Sequence, residues 1–89
     1  MKLQVVSQNN CRGCKELVMY LDNEYPELDY DYVNLDKLSP EDKGTFIAEN
    51  YVMSTPITIV REDEEEVFRI TGFQSGATQE IDLAIEQLT

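Results

Sequence analysis

The feature that most constrains this chain is its opening order: a short apolar run rich in β-branched residues, then a helical stripe, then a second extended run. Lys2-Leu3-Gln4-Val5-Val6 has the composition of a buried strand, and the polar Ser7-Gln8-Asn9-Asn10 after it reads as a loop. From Cys11 to about Glu24 the apolar positions Cys14, Leu17, Val18, Leu21 and Tyr25 recur at offsets of three and four. That spacing predicts an amphipathic helix with Asn10 as its N-cap and Pro26 beyond its end. Tyr30-Asp31-Tyr32-Val33-Asn34-Leu35 then alternates apolar and polar residues, as a half-buried or edge strand does. Strand, helix, strand implies two parallel strands joined by a right-handed crossover.

The remaining elements follow from local signals. Ser39-Pro40-Glu41-Asp42 is a helix start. It offers a hydroxyl cap, a proline where its missing N–H does no harm, and carboxylates at the positive end of the helix dipole. The helix is expected to run to about Asn50, weakened by Gly44. Pro56-Ile57-Thr58-Ile59-Val60 and Val67-Phe68-Arg69-Ile70 predict an antiparallel hairpin, with the acidic run Glu62 to Glu66 as its turn. We expect that run to be only a solvated turn, since a calcium site would need ligands converging from a suitable loop. Ile81, Ala84, Ile85 and Leu88 form a last helical stripe, with Glu80 and Asp82 in its first turn. The expected class is α/β: a mixed four-stranded sheet flanked by three helices in the order β-α-β-α-β-β-α. Eighty-nine residues allow one such domain, spanning 1–89, with no repeat or linker.

Composition narrows the partners. Hydrophobic residues at 42% and charged residues at 28% fit a globular chain. A net charge of -11, with only 7 Lys and Arg scattered along the chain, makes nucleic acid and anionic membrane poor partners. The acidity serves solubility, or selects a partner with a basic docking patch. Residues 1–30 hold no basic region followed by an apolar run and a small-residue cleavage site, and no segment approaches the ~20 apolar residues of a membrane span. The expectation is a cytoplasmic monomer.

The chemistry is expected at Cys11-Arg12-Gly13-Cys14. A bond between cysteines so close closes too short a loop to constrain the unfolded chain much, so the pair serves something other than stability. Placed at the start of a helix, the two sulfurs lie near one face and can bridge. First-turn N–H groups, the dipole, Arg12 and Lys15 all favour a thiolate at Cys11. Cys11 is then the nucleophile that forms a mixed disulfide with substrate, and Cys14 the resolving thiol that releases it. Gly13 keeps the connection free of a side chain, easing close approach of the substrate backbone. Two cysteines and no histidine fall short of a zinc set, and Cys11 in a polar loop beside Arg12 is poorly placed as a plain core residue. Ser54-Thr55-Pro56 stands before a strand, where a proline with no ladder donor belongs.

These residues together resemble the glutaredoxins of the thioredoxin-like superfamily, especially the glutaredoxin-like redoxins that donate electrons to ribonucleotide reductase. Val5 through Cys14 looks like the family's first strand and active-site loop, Thr55-Pro56 matches its cis-proline segment, and Thr71-Gly72-Phe73 resembles its glycine motif. The resemblance covers nearly the whole chain and implies a thioredoxin-like fold. It also implies a cis bond at Pro56, with the Thr55 backbone pairing with an extended substrate or glutathione, and Gly72 and Phe73 shaping the rim.

The chain departs from that family at several places. Arg12 and Gly13 stand where glutaredoxins commonly have Pro and an aromatic, and Gln8 where they have a lysine. Gly72 is followed by Phe73 and Gln74-Ser75-Gly76-Ala77 rather than by paired glycines and an acid. The absence of Trp separates it from ordinary thioredoxins. The expected activity is therefore reduction of protein disulfides with no bound cofactor. Electrons would come from a thioredoxin reductase-type flavoprotein or, less in keeping with these departures, from glutathione. The alternatives are a thioredoxin-fold adaptor or redox sensor without turnover, and an iron-sulfur cluster bridging two copies through Cys11 and glutathione.

Overall fold

The computed structural model describes residues 1–73 and 78–88. Strands β1 (Lys2–Ser7), β2 (Asp31–Asn34), β3 (Ile57–Glu62) and β4 (Glu65–Thr71) form one sheet, and helices α1 (Arg12–Glu24), α2 (Pro40–Asn50) and α3 (Thr78–Glu86) cover it. A turn of 3-10 helix, Leu35–Lys37, joins β2 to α2 and has no counterpart in the sequence reading. The sheet order is β2-β1-β3-β4. β1 pairs with β2 in parallel, and the hairpin joins through antiparallel pairing of β3 with β1 and of β4 with β3.

Alternation along the two central strands divides the core. Leu3, Val5, Val60 and Ile70 face α1 and α3, where Leu17, Leu21, Ile81 and Ala84 meet them. Val6, Ile57 and Ile59 face the other way, against Leu35, Val52 and the α2 residues Phe46 and Ile47. The result is three layers with α1 and α3 on one side and α2 on the other. Leu17 and Leu21 are fully buried, and each contributes about 1.5–3 kcal/mol of apolar transfer.

Helix ends are fixed by specific groups. Ser39 caps α2 as expected, its Oγ accepting from the Asp42 N–H at 3.1 Å. At the other end the Arg69 guanidinium donates to the carbonyls of Asn50 (2.6 Å) and Tyr51 (3.2 Å), placing a cation on the negative end of the helix. Between α1 and α3, one Asp82 oxygen accepts from Tyr20 (2.7 Å) and Tyr25 (2.5 Å). Losing a proton beside that carboxylate is unfavourable, and the Tyr25 phenol is pushed up to about 12, chiefly by its hydrogen bond to Asp82.

The hairpin corrects the sequence reading. Glu62, Glu65 and Glu66 lie in the strands, and the turn is only Asp63-Glu64, both at positive φ (51° and 71°). Such a two-residue turn matches the right-handed twist of its strands, so the ladder can run to the tip. It holds two non-glycine residues in the left-handed region and sets Glu62 opposite Glu65, both of which are unfavourable. Replacing the pair with Asp63→Asn and Glu64→Gly should stabilise the domain by roughly 1 kcal/mol and raise Tm by about 4–8 °C. An unchanged or lower Tm in thermal unfolding would contradict this turn geometry.

Candidate active site

Cys11 is the N-cap of α1, so the helix starts one residue later than the sequence predicts. Its backbone is extended (φ -114°, ψ 106°), and its Sγ accepts from the Cys14 N–H at 3.2 Å. Asn10, the predicted cap, instead takes φ 57°, a left-handed conformation that asparagine tolerates. The physical reason is that a cap needs a side-chain acceptor with extended backbone, and here the sulfur supplies it. Cys11 and Cys14 are joined by a disulfide with their Cα atoms 5.2 Å apart. Cys14 is buried and Cys11 is half-buried, so Cys11 is the more accessible of the two. Once reduced, a Cys11 thiolate accepts the same first-turn N–H at the positive end of the helix, an arrangement that lowers a thiol pKa.

The loop before β3 lies against this turn. The Thr55-Pro56 bond is cis, and the Thr55 hydroxyl donates to Cys11 Sγ at 3.6 Å across a sequence separation of 44 residues. Thr55 therefore brings a side-chain donor to the sulfur, beyond the backbone role the family resemblance implies for it. Gly13 packs on the same loop: a Cβ there would sit 3.2 Å from Pro56 Cδ and 3.4 Å from the Phe73 carbonyl. Its small size serves this packing, where the sequence reading invoked room for substrate. Gly72, at φ 82°, donates its N–H to the Pro56 carbonyl at 2.8 Å and anchors the loop from β4. Phe73 turns toward Tyr20, ring centroids 6.0 Å apart, and packs on the α1 core. The segment 74–77, where the sequence reading looked for a glycine pair, lies outside the described residues.

The loop 8–10 is held from the far side. The Asp36 carboxylate accepts from the Asn9 N–H (2.7 Å) and from Lys43 Nζ (2.8 Å), and Asn34 Nδ2 donates to Asn9 Oδ1 at 3.1 Å. Lys43 first, then the Asn9 N–H, hold the Asp36 carboxyl below its ordinary pKa. Nothing local in the sequence pointed to Asp36, because its partners lie 27 residues before it and 7 after it. Arg12 is not brought onto the sulfur: its side chain is 93% exposed and its Nε sits 3.1 Å from Glu16 Oε1. Beside Thr55 a shallow groove of about 160 Å³ is lined by Gln8, Leu35, Ile47, Val52, Met53 and Ser54. A wider hollow of about 520 Å³ at Lys2, Asp31 and Arg61 lies at the opposite end of the sheet, away from both cysteines, and is not the site.

Among the described residues no helix is long and apolar enough to cross a membrane. The two donors to Cys11 predict how its reactivity divides. Thr55→Val should raise the Cys11 pKa by roughly one unit, whereas Arg12→Ala should move it by only a few tenths, because an exposed charge is screened. Thiolate ultraviolet absorbance against pH measures both, and an Arg12 effect larger than that of Thr55 would contradict the geometry.

No family model matches the chain, and no curated protein matches it in sequence. Solved structures do match in shape. Thioredoxin 1 from Thermosipho africanus superposes with a TM-score of 0.71 at 19% identity, over 99% of this chain and 93% of that one. A glutaredoxin from Archaeoglobus fulgidus gives 0.70 at 20% identity, over 91% and 85%. A poplar thioredoxin h gives 0.68 at 24% identity, over 93% and 73%. With its disulfide on the first turn of α1, its cis proline opposite and its β2-β1-β3-β4 sheet, the chain has the thioredoxin-like fold.

Proposed function

We propose that this protein is a dithiol-disulfide oxidoreductase that reduces protein disulfides through Cys11 and Cys14. The observation that carries this reading is the Cys11 sulfur, which receives both a first-turn N–H and the Thr55 hydroxyl while remaining reachable from solvent. A thiolate so placed attacks one sulfur of a substrate disulfide, and the other sulfur leaves as a thiol. Cys14, buried one turn along the helix, then displaces the substrate from Cys11 and closes the bond seen here. Arg12 adds positive charge to the same turn while its guanidinium stays on Glu16. The Thr55-Pro56 backbone and the groove beside it guide an extended segment of the substrate.

Glutathione is a weaker candidate as electron source than a thioredoxin reductase-type flavoprotein. Glutathione carries two carboxylates, and the groove beside Thr55 is lined by aliphatic, hydroxyl and amide side chains, with no cation among them. The nearby Lys43 is already engaged by Asp36. Electron donation to ribonucleotide reductase or a similar enzyme is the finer role the family resemblance implies. It forms part of the proposal, as do a cytoplasmic location and a monomeric state.

The two sulfurs should behave differently under substitution. With a disulfide-containing protein such as insulin, Cys14→Ser should accumulate a mixed disulfide that a reductant releases, and Cys11→Ser should accumulate none. Non-reducing electrophoresis and mass spectrometry separate these outcomes. Equal trapping by both variants would refute the assigned roles.

A further inference from the structure

Among the described residues, the buried polar side chains are Ser7 and Thr58. Ser7 has a partner, donating to the Tyr32 hydroxyl at 2.6 Å. Thr58 has none: its Oγ1 is buried and unpaired in a strand whose neighbours are Ile57, Ile59 and Val60. Leaving a buried hydroxyl unpaired is destabilising, and valine has the same shape without that penalty. A threonine here therefore needs a reason outside the packing of the disulfide form.

Its position supplies one. Thr58 is in register with Val5 on one side and Ile70 on the other, both members of the cluster that α1 covers, so its side chain points beneath α1. The first turn of α1 is set down on Pro56, two residues earlier and on the same side of the strand, by the close approach of Gly13. Leu17, one turn further along α1, belongs to the cluster that contains Val5. Between those two fixed points lies Cys14, buried at 3% exposure. The unpaired hydroxyl is thus on the face of β3 that α1 covers, two residues beyond the proline on which the Cys11–Cys14 turn rests, and in the disulfide form it makes no hydrogen bond to Cys14 Sγ.

Cys14 must lose its proton in the interior to act. The thiolate then attacks Cys11 Sγ, the Cys11–Cys14 bond forms as the Cys11–substrate bond breaks, and the substrate sulfur leaves as a thiolate that takes a proton from water. Two electrons pass from the protein dithiol to the substrate. Burial opposes the charged thiolate, and no Asp, Glu, Lys or Arg is among the buried described residues. The ionisable groups of the surrounding elements lie elsewhere. Arg12, Lys15 and Glu16 are on the exposed side of α1, Tyr32 of β2 is bonded to Ser7, and Asp82 of α3 is held by Tyr20 and Tyr25.

We propose that Thr58 is a positioning residue for Cys14: when the disulfide opens, its hydroxyl donates to the Cys14 sulfur and stabilises the thiolate that resolves the mixed disulfide. This inference rests on the role given to Cys14 above.

The test is stopped-flow reaction of the reduced protein with dithionitrobenzoate, which releases one coloured thiolate when Cys11 attacks and a second when Cys14 resolves. Thr58→Val should leave the first phase unchanged, slow the second roughly tenfold near neutral pH, and shift its pH midpoint upward by about one unit. Its Tm should be equal to or above that of the parent. Thr58→Ser, which keeps the hydroxyl, should retain the parental second phase and covers the case in which the valine variant misfolds. A second phase untouched by valine, slowing of both phases alike, or a serine variant slow in the second phase would each overturn the inference. A parent protein with no second phase would overturn both this inference and the role of Cys14.

Discussion

The contact between the first turn of α1 and the Thr55-Pro56 loop is the constraint on which the site depends. Helix α1 is fixed to the sheet by Leu17 and Leu21, and the loop by the central strand β3, so each is placed by the core rather than by the site itself. Gly13 lets them close until the Pro56 ring nearly fills the space of a Cβ. Only then does the Thr55 hydroxyl come within hydrogen-bonding distance of Cys11 Sγ. The Gly72 N–H bonded to the Pro56 carbonyl, and Asp36 bonded to the Asn9 N–H, hold the two outer sides of the same junction. The Cys11 sulfur thus receives a backbone and a hydroxyl donor from elements that the core holds in place.

The electrostatics of the site run against those of the whole. The chain carries a net charge of -11, which disfavours an extra negative charge anywhere on it. The thiolate proposed at Cys11 would be stabilised all the same, because short-range donors and the helix terminus act within a few ångströms, whereas distant surface carboxylates are screened over about 10 Å. An acidic cluster lies elsewhere, in the facing ends of β3 and β4 and the turn between them, at the end of the sheet opposite the cysteines.

What could be read from sequence divides along the range of the forces involved. The strand of residues 2–6, the helix that begins at Ser39 and the stripe of Ile81 and Ala84 were all legible, because periodicity and caps are local signals. The cysteine pair at a helix start was legible for the same reason. The identity of the cap was not, since asparagine is the commoner acceptor and only the fold shows the sulfur in that place. Two positive-φ residues in an acidic run could not be foreseen without glycine or asparagine to mark them. Asp36 on Asn9, the Thr55 hydroxyl on Cys11 and the orphan hydroxyl of Thr58 are products of long-range packing. For Thr58 a faint signal existed: one hydroxyl in the run Ile57-Thr58-Ile59-Val60.

The measurement that bears most directly on this account is turnover. The purified protein is given insulin disulfides and NADPH, with either thioredoxin reductase or glutathione plus glutathione reductase as the electron source. The account predicts catalytic NADPH oxidation with thioredoxin reductase, abolished by Cys11→Ser, and slower oxidation or none with glutathione. No oxidation with either source, from a folded protein whose two thiols have been shown to be reduced, would contradict it.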